Sequence, residues 1–421
     1  MFKKVAGCRD ILPEQAGLWQ RLEQISREVF TLYNYKEIRT PLLEESSLFN
    51  RSLGEVAEIV QKQMFIFQSE TDSYALRPEG TASVVRAYIE NNLDKASALA
   101  KLYYIGPMFR RERPQKGRLR QFHHVGCEVL GSRESGLDIE VISLMDALLK
   151  SFAIVNYRIK LNSLGCAADK KNFADFLRKN ISHNLSKLCP ECNTRYNLNV
   201  MRILDCKNTG CQDVIRDLKI QDTCLCQECA VHFTEVKNGL DLLGVKYEVS
   251  PYLVRGLDYY TRTVFEITHD SLESQQNAIG AGGRYDNLIK EVGGPDLGAI
   301  GFAFGMERLF LVMQEGLKPQ SKPLIYAIGL GDEARKQCLL ILDELRKNGI
   351  ASDTDYENKS IKGAMRKAND LGAEYVLILG DDEIKKNTIM LKQMSSGKQE
   401  EVKREELVGK IKCYTHIHAV N

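Results

Sequence analysis

Between residues 253 and 268 the chain reads LVRGLDYYTRTVFEIT. The second half is β-prone, because Thr263, Val264, Phe265 and Ile267 are branched or aromatic. The first half crowds Arg255, Gly256, Asp258, Tyr259, Tyr260 and Arg262 together. That is more polar chemistry than a strand requires. A guanidinium grips an anion through paired N–H donors, and phenols can read a polar ligand.

Residues 110–120, RRERPQKGRLR, hold six basic residues and one acid. Pro114 and Gly117 mark a flexible loop, and β-prone segments flank it. Arginines held at rigid loop ends suit phosphate, and Phe122 could stack on a base. A basic run alone is equally a solvated loop. GAGGRYDNL carries Gly280, Gly282 and Gly283 but lacks both GxGxxG spacing and a Walker lysine. Such glycines either let backbone approach a ligand or make a tight turn. In GFAFGMERLFLV, Glu307 and Arg308 open a helix, where a surface ion pair is the plain alternative. In ALRPEGTASVVRAY, Glu79 stands just before a helix and could simply complement its dipole.

The chain has twelve cysteines, clustered towards its middle. The N-terminal MFKKVAGCRDILPEQ is too polar for a signal peptide, and no run of eighteen apolar residues occurs. A cytoplasmic protein without a membrane span is expected, its cysteines free thiols or metal ligands. CPEC and the end of CLCQEC place Cys189, Cys192, Cys226 and Cys229 as two Cys-x-x-Cys pairs. Four thiolates close a tetrahedral structural zinc site with no open position for catalysis. Cys206 and Cys211 are alternative ligands, and small buried thiols without metal are the competing reading.

The elements that must position these groups are mixed. At 421 residues two or three domains are expected, and a net charge of +2 leaves any polyanion to local basic patches. Leu18, Leu22, Ile25 and Val29 follow Pro13 at helical spacing, and YKEIRTPLLEES then reads as a strand. Two strands are expected to bracket the basic loop. Residues 166–238 read as a polar, Cys-rich insertion, between parts of a first domain at 1–165 and 239–313. QEGLKPQSKP, 314–323, is a linker. From residue 324 to 421 strand and helix patterns alternate as in a small α/β domain. No internal repeat is evident.

The combination and order of these motifs resemble the class II aminoacyl-tRNA synthetases, and within them the histidyl-tRNA synthetases. RTPLLEESSLF is similar to motif 1, FRRERPQKGRLRQFHHVGCE to motif 2 and GFAFGMERL to motif 3. LVRGLDYYTRTVFE and GAGGRYDNL resemble two segments peculiar to the histidine enzymes. The resemblance implies a catalytic domain on an antiparallel sheet, an inserted subdomain and a C-terminal α/β anticodon-binding domain. It implies ligation of L-histidine to tRNA(His) through a histidyl-adenylate, using ATP with Mg2+.

Carried over by position, Arg255 and Arg110 are the catalytic cations. Glu79, Thr81, His124, Glu128, Tyr259, Tyr260 and Tyr285, with Arg255, surround histidine, and Glu128 and Tyr260 read its two ring nitrogens. Arg110, Glu112, Arg118, Phe122 and Arg308 hold ATP. Arg113, Gln115 and Lys116 face the tRNA acceptor end. His124 stands where the family usually has glutamine, and a charged imidazole there would make histidine affinity pH-dependent. Lys336, Arg346, Lys347, Lys362, Arg366 and Lys367 lie on helices of the anticodon domain. Motif 1 implies a homodimer. The rival reading is a non-catalytic paralogue serving as a regulatory subunit of ATP phosphoribosyltransferase. Retention of Arg110, Arg255 and Arg308 argues against it.

Overall fold

The computed structural model describes residues 2–417 except 55, 56, 58, 116, 219, 221–223, 273–276, 314–323 and 358. The chain divides into two compact units, residues 1–319 and 320–421. The expected linker, 314–323, lies outside the described residues.

The first unit opens with helix α1 (Pro13–Leu32), which starts on proline, where no backbone donor is needed. Strands β1 (Lys36–Glu37) and β2 (Leu43–Glu45), helix α2 (Ser46–Leu53), strands β3 (Phe65–Gln68) and β4 (Ser73–Leu76), and helices α3 (Thr81–Glu90) and α4 (Leu93–Ala96) follow. A long hairpin, β5 (Ala100–Phe109) and β6 (Gln121–Leu130), brackets the basic loop as expected. Helix α5 (Ser135–Ser151) and strand β7 (Tyr157–Ser163) come next. The insertion contributes α6 (Ala167–Ile181), α7 (Pro190–Leu198) and α8 (Thr209–Arg216). Helix α9 (Gln227–Leu242) leads back to β8 (Glu248–Val249), β9 (Thr261–His269), β10 (Ala278–Arg284), α10 (Leu288–Glu291), β11 (Ala299–Gly305) and α11 (Met306–Val312).

One eight-stranded sheet carries this unit, in the order β1-β5-β6-β11-β10-β9-β7-β8. All pairs from β5 through to β7 are antiparallel, and only the edge strands β1 and β8 pair in parallel. Strand alternation gives the sheet two different faces. On β6, Val125, Cys127 and Val129 join a core with Leu22 and Phe30 of α1, Leu144 and Leu148 of α5, Val236 of α9 and Leu309 of α11. Phe265 and Ile267 of β9 and Phe302 and Phe304 of β11 complete that core. Of the intervening residues, Phe122 and His124 line a cleft on the other face together with Glu266 and Gly301, and Glu128 lies buried against Thr81, Tyr104 and Tyr285 of its lining. Thus the helix layer fixes which residues the cleft receives. A shift of one residue in any of these strands would exchange the faces. A smaller sheet, β2-β4-β3, holds the motif 1 segment.

One expectation changes here. Helix α9 runs unbroken through the expected boundary at 238, and its Phe233, Val236 and Leu240 belong to the helix-face core. The insertion therefore returns to the main body before that helix. Within the insertion Phe173, Leu177, Ile181, Ile203, Val214 and Ile215 are buried in one cluster with Tyr259 and Tyr260.

The second unit has β12 (Leu324–Gly329), α12 (Asp332–Lys347), β13 (Ser352–Thr354), α13 (Ile361–Asp370), β14 (Ala373–Leu379), α14 (Asp381–Lys386), β15 (Thr388–Gln393), β16 (Gln399–Lys403) and α15 (Leu407–Ile417). Its sheet order is β13-β12-β14-β15-β16, with the first three strands parallel. Ile325 and Ala327 pack with Cys338 and Leu342 of α12, whereas Tyr326 and Ile328 pack with Ala364 and Ala368 of α13. A parallel strand covered on both faces needs this uniformly apolar sequence. Strand β16 and helix α15 add to the elements expected from sequence.

Candidate active site

The cleft has a volume of ≈ 580 Å³. Behind its lining stands Glu128, almost fully buried on β6. Glu128 Oε1 accepts from Thr81 Oγ1 at 2.7 Å and from the Tyr104 hydroxyl at 3.3 Å, while Oε2 accepts from the Tyr285 hydroxyl. Burial pushes the Glu128 carboxyl up to about 8, against the lowering effect of those donors. Gly301 lies opposite Glu128 on β11, where a Cβ would fall 1.8 Å from the carboxylate. Glycine is the residue that lets the two strands pair with an acid between them.

Beside this acid, Glu79 accepts the backbone N–H groups of Thr81 at 2.6 Å and Ala82 at 2.8 Å. It is thus both a partner for the start of α3 and a buried acid in the cleft wall, with burial raising its pKa. His124 lines the same wall, and its Nδ1 is buried without a hydrogen-bond partner. Burial, then Arg110 and Arg77, hold its pKa down to about 3. The expectation of a charged His124 is therefore corrected: at neutral pH the ring is neutral.

Arg110, Arg118 and Arg308 also line the cleft. Arg110 Nε donates to the Pro78 carbonyl at 2.9 Å, and its guanidinium stands 5.3 Å from the Phe122 ring centroid. Glu112 lies 4.0 Å from Arg110 and 3.7 Å from Arg118. Arg308 donates to the carbonyls of Gly117 and Ala278, tying motif 3 to the loop and to β10. Glu307 is not a surface ion pair. It is buried and accepts from the His123 backbone N–H at 3.0 Å, with His123 Nδ1 also 3.0 Å away. The loop tip closes through reciprocal Gln115 and Arg118 backbone bonds of 3.1 and 2.9 Å. Arg113 and Gln115 are exposed there, and Lys116 lies outside the described residues.

The segment that opened the sequence forms the remaining wall. Arg255 Nη1 donates to Glu266 of β9 at 2.5 Å. Tyr259 contacts Tyr260 at 4.6 Å and Tyr285 at 5.4 Å between ring centroids. Gly283 leaves room for this group, since a Cβ there would sit 2.9 Å from the Tyr260 ring. Gly280 and Gly282 instead face Phe304 and Phe265, so these glycines lie within strand β10 and serve packing more than a turn. The turn at 256–258 is held from the insertion. Lys170 Nζ donates to the carbonyls of Asp258 and Tyr260, both at 2.9 Å. Asn199 Nδ2 donates to Asp258 Oδ1 at 2.9 Å. Arg202 Nη2 reaches the Gly256 carbonyl at 2.8 Å and Asp258 Oδ1 at 3.1 Å.

All the residues expected around histidine and ATP therefore line or flank one cleft. Sequence reasoning missed Tyr104 and Glu266, and the insertion residues Arg202, Asp205 and Lys207 that also line it. Period-two spacing from Phe265 identifies the opposite face for Glu266. Nothing local signals the insertion residues.

The expected zinc quartet does not form. Cys189 and Cys192 gather with Cys206 and Cys211, while Cys226 and Cys229 gather with Cys166 and Asp169. Helices α7 and α9 begin in different places, and each Cys-x-x-Cys pair rides on the first turn of its own helix.

An antiparallel sheet with arginines and a buried acid on its open face, followed by a separate α/β unit, fits the class II aminoacyl-tRNA synthetases that the motifs resemble. The family model "Histidyl-tRNA synthetase" matches residues 7–309, and "Anticodon binding domain" matches 324–414. The chain is 43% identical over 410 residues to the histidine–tRNA ligase of Thermodesulfovibrio yellowstonii, covering 97% of each. It is 44% identical over 414 residues to that of Thermosipho melanesiensis, covering 97% of this chain and 98% of the relative. The crystal structure of apo S. aureus histidyl-tRNA synthetase superposes with TM-score 0.81 at 35% identity, over 97% of this chain and 99% of that one. The chain belongs to the histidyl-tRNA synthetase family.

Proposed function

We infer that the protein is a histidine–tRNA ligase, joining L-histidine to tRNA(His) through a histidyl-adenylate and releasing AMP and diphosphate. The observation that carries this is the meeting of Tyr259, Tyr260 and Tyr285 with Arg110, Arg255 and Arg308 in one cleft, with the buried acid Glu128 hydrogen-bonded to its lining through Thr81 and Tyr285. An imidazole has two ring nitrogens to satisfy. Glu128 serves one and Tyr260 the other, so an amino acid lacking them would leave buried polar groups unpaired. Glu79, Thr81 and the free Nδ1 of neutral His124 receive the substrate ammonium.

A histidine carboxylate oxygen forms a bond to the α-phosphorus as the bond to the β-phosphate oxygen breaks, and diphosphate leaves. A terminal ribose hydroxyl of the tRNA then attacks the activated carbonyl, and AMP leaves. Neither step needs a protein nucleophile. Arg110 and Arg255 stabilise charge on the α-phosphate, and Arg118 and Arg308 fold the outer phosphates back. Phe122, stacked under Arg110, and Glu112 bound the adenine site. Mg2+ would enter with the triphosphate and share its charge, and Glu112 and Glu266 are acids of the cleft that suit it.

Arg113, Gln115 and Lys116 serve the acceptor end, and the second unit serves the anticodon. Within that unit Lys347 pairs with Asp343 and Lys336 with Glu333, while exposed Lys362 and Arg366 on α13 have no ion pair among the described residues. A homodimer fits the exposed Leu42, Leu43, Ile66 and Phe67 around the motif 1 sheet. The site of action is the cytoplasm, where its substrates meet, and no helix among the described residues is long and apolar enough to cross a membrane. A regulatory paralogue has less support, since the arginine set and the anticodon unit both stand. ATP–diphosphate exchange with each amino acid, followed by tRNA charging, tests the reading. Exchange with histidine alone and charging of tRNA(His) are expected. Absence of histidine-dependent exchange would overturn it.

A further inference from the structure

The sulfurs of Cys189, Cys192, Cys206 and Cys211 all lie within 4.8 Å of one another, in the interior of the insertion. Cys189 Sγ and Cys206 Sγ are 3.9 Å apart. Four sulfurs at ~2.3 Å from a tetrahedral ion stand ~3.8 Å apart, so little movement separates this cluster from a tetrathiolate site. The backbone supports thiolates here. Cys189 N–H donates to Cys211 Sγ at 3.2 Å, and Asn208 N–H to Cys206 Sγ at 3.5 Å. Cys192 and Cys211 sit in the first turns of α7 and α8, whose positive ends face the sulfurs. Gly210 allows the approach, since a Cβ there would meet the Lys187 carbonyl at 2.9 Å.

We propose that Cys189, Cys192, Cys206 and Cys211 hold a structural zinc ion that sets the position of the histidine-binding turn. The link is short. Cys206 ends the 3₁₀ segment Val200–Asp205, and Arg202 in that segment holds Gly256 and Asp258. Asn199, just before it, holds Asp258 as well. The ligands thus bracket Asn199 and Arg202, two of the residues that grip the turn. All four positions are filled by sulfur, so the ion supports structure and does no chemistry.

A second cluster stands on its own observation, and we infer a second zinc there. Cys166, Asp169, Cys226 and Cys229 offer four ligand atoms within 4.8 Å of one another. The donors come from the first turns of α6 and α9, the two helices by which the insertion leaves and rejoins the main body. Asp169 already binds both ends, accepting from Cys166 N–H at 3.2 Å and Cys226 N–H at 3.0 Å. Three thiolates and a carboxylate suit zinc, and a metal there would clamp the insertion at its root.

Elemental analysis of the full chain, purified without added metal, tests both. About two zinc ions per chain are expected, from one ion at each tetradentate site. Cys206→Ser and Cys226→Ser should each lose one of them. Cobalt substitution should give the visible d–d bands of a tetrahedral thiolate site in the unmutated protein, which does not depend on a variant folding. Displacing zinc with an organomercurial and removing the mercurial with excess thiol in the presence of a chelator should raise the histidine KM severalfold, reversed by added zinc. Zinc content unchanged by Cys206→Ser overturns the first site, and content unchanged by Cys226→Ser overturns the second. No zinc or cobalt uptake, with the thiols free or in disulfides, overturns both. An unchanged histidine KM in zinc-depleted protein overturns the positioning role.

Discussion

The two walls of the cleft are built differently. The Glu128 wall stands on β6 and β11, where strand pairing and the helix-face core fix every side chain. The Arg255–Tyr260 wall is a turn, and its position depends on Lys170, Asn199 and Arg202 from an insertion. The first wall is rigid because moving it would unpack the sheet. The second is held by those polar contacts and by the apolar cluster that Tyr259 and Tyr260 share with the insertion, so its position follows that of the insertion. On the proposed reading, in which the histidine ring is read from both sides, specificity then depends on the insertion being in place.

The largest effect should come from the turn's own charge. Arg255→Ala should slow histidine-dependent exchange by about 10²–10³-fold, the cost of one preorganised donor. Glu266→Gln should cost less, because Arg255 stays but loses the carboxylate that orients it. Exchange rates for the two variants check the ranking. A milder loss in Arg255→Ala than in Glu266→Gln would put the catalytic charge elsewhere.

Glu128→Gln probes the rigid wall. Histidine binding should weaken by about 1–3 kcal/mol, as for an unmet buried polar group. Stability should move the other way. The folded protein holds a proton on Glu128 up to about pH 8, whereas the unfolded chain releases it near 4.5. Wild-type stability therefore falls across that window as pH rises, and glutamine carries no such term. Melting curves should show the variant's advantage growing from pH 5 to pH 8. An advantage independent of pH would mean that Glu128 is ionised throughout.

Arg202→Ala tests the dependence of the turn on the insertion. A severalfold rise in histidine KM is expected, on the scale of lost charge-assisted hydrogen bonds, with kcat changing less. Equal losses in kcat and kcat/KM would make Arg202 a transition-state contact instead.

The contrast between the walls also explains what could be read from sequence. On β6 a period of two turns Val125, Cys127 and Val129 inward and Phe122, His124 and Glu128 to the other face, a local property of the chain, although these last three were expected at the site only through the resemblance to motif 2. The α/β alternation after residue 324 was legible for the same reason. Arg202 and Lys170 were not, since they meet the turn across 54 and 88 positions of chain. The cysteine pairs failed likewise. Cys-x-x-Cys spacing identifies two ligands on one helix turn, but which pairs share an ion depends on where the helices start in space. The four sulfurs at Cys189, Cys192, Cys206 and Cys211 come from two helices and the link between them.

The motif 2 loop should separate the two reaction steps. Arg113 and Gln115 are exposed in the loop between the cleft-lining Arg110 and Arg118. Arg113→Ala with Gln115→Ala should leave exchange near wild type and slow tRNA charging by a few-fold, about the weight of one or two phosphate-type contacts. Equal losses in exchange and charging would assign the loop to ATP alone.

The smallest functional effect is expected at His124. Burial keeps a proton off the ring, and Arg110, Arg77, His123 and Arg308 around it add to the effect, so it titrates near 3 instead of 6.5. It is neutral wherever the enzyme works, and glutamine offers a comparable acceptor. His124→Gln should therefore give a pH profile of histidine KM parallel to wild type between about pH 5.5 and 7.5, the range in which histidine ordinarily titrates. Stability should still differ. The unfolded chain takes up a proton at His124 below 6.5 that the folded protein refuses until about 3, so wild-type stability falls as pH drops through that window. The glutamine variant escapes this loss and should unfold at lower pH in an acid titration followed by circular dichroism. Divergent KM profiles with identical acid unfolding would mean that the ring is charged in the folded enzyme, and the rigid wall would then carry a pH switch instead of a fixed acceptor.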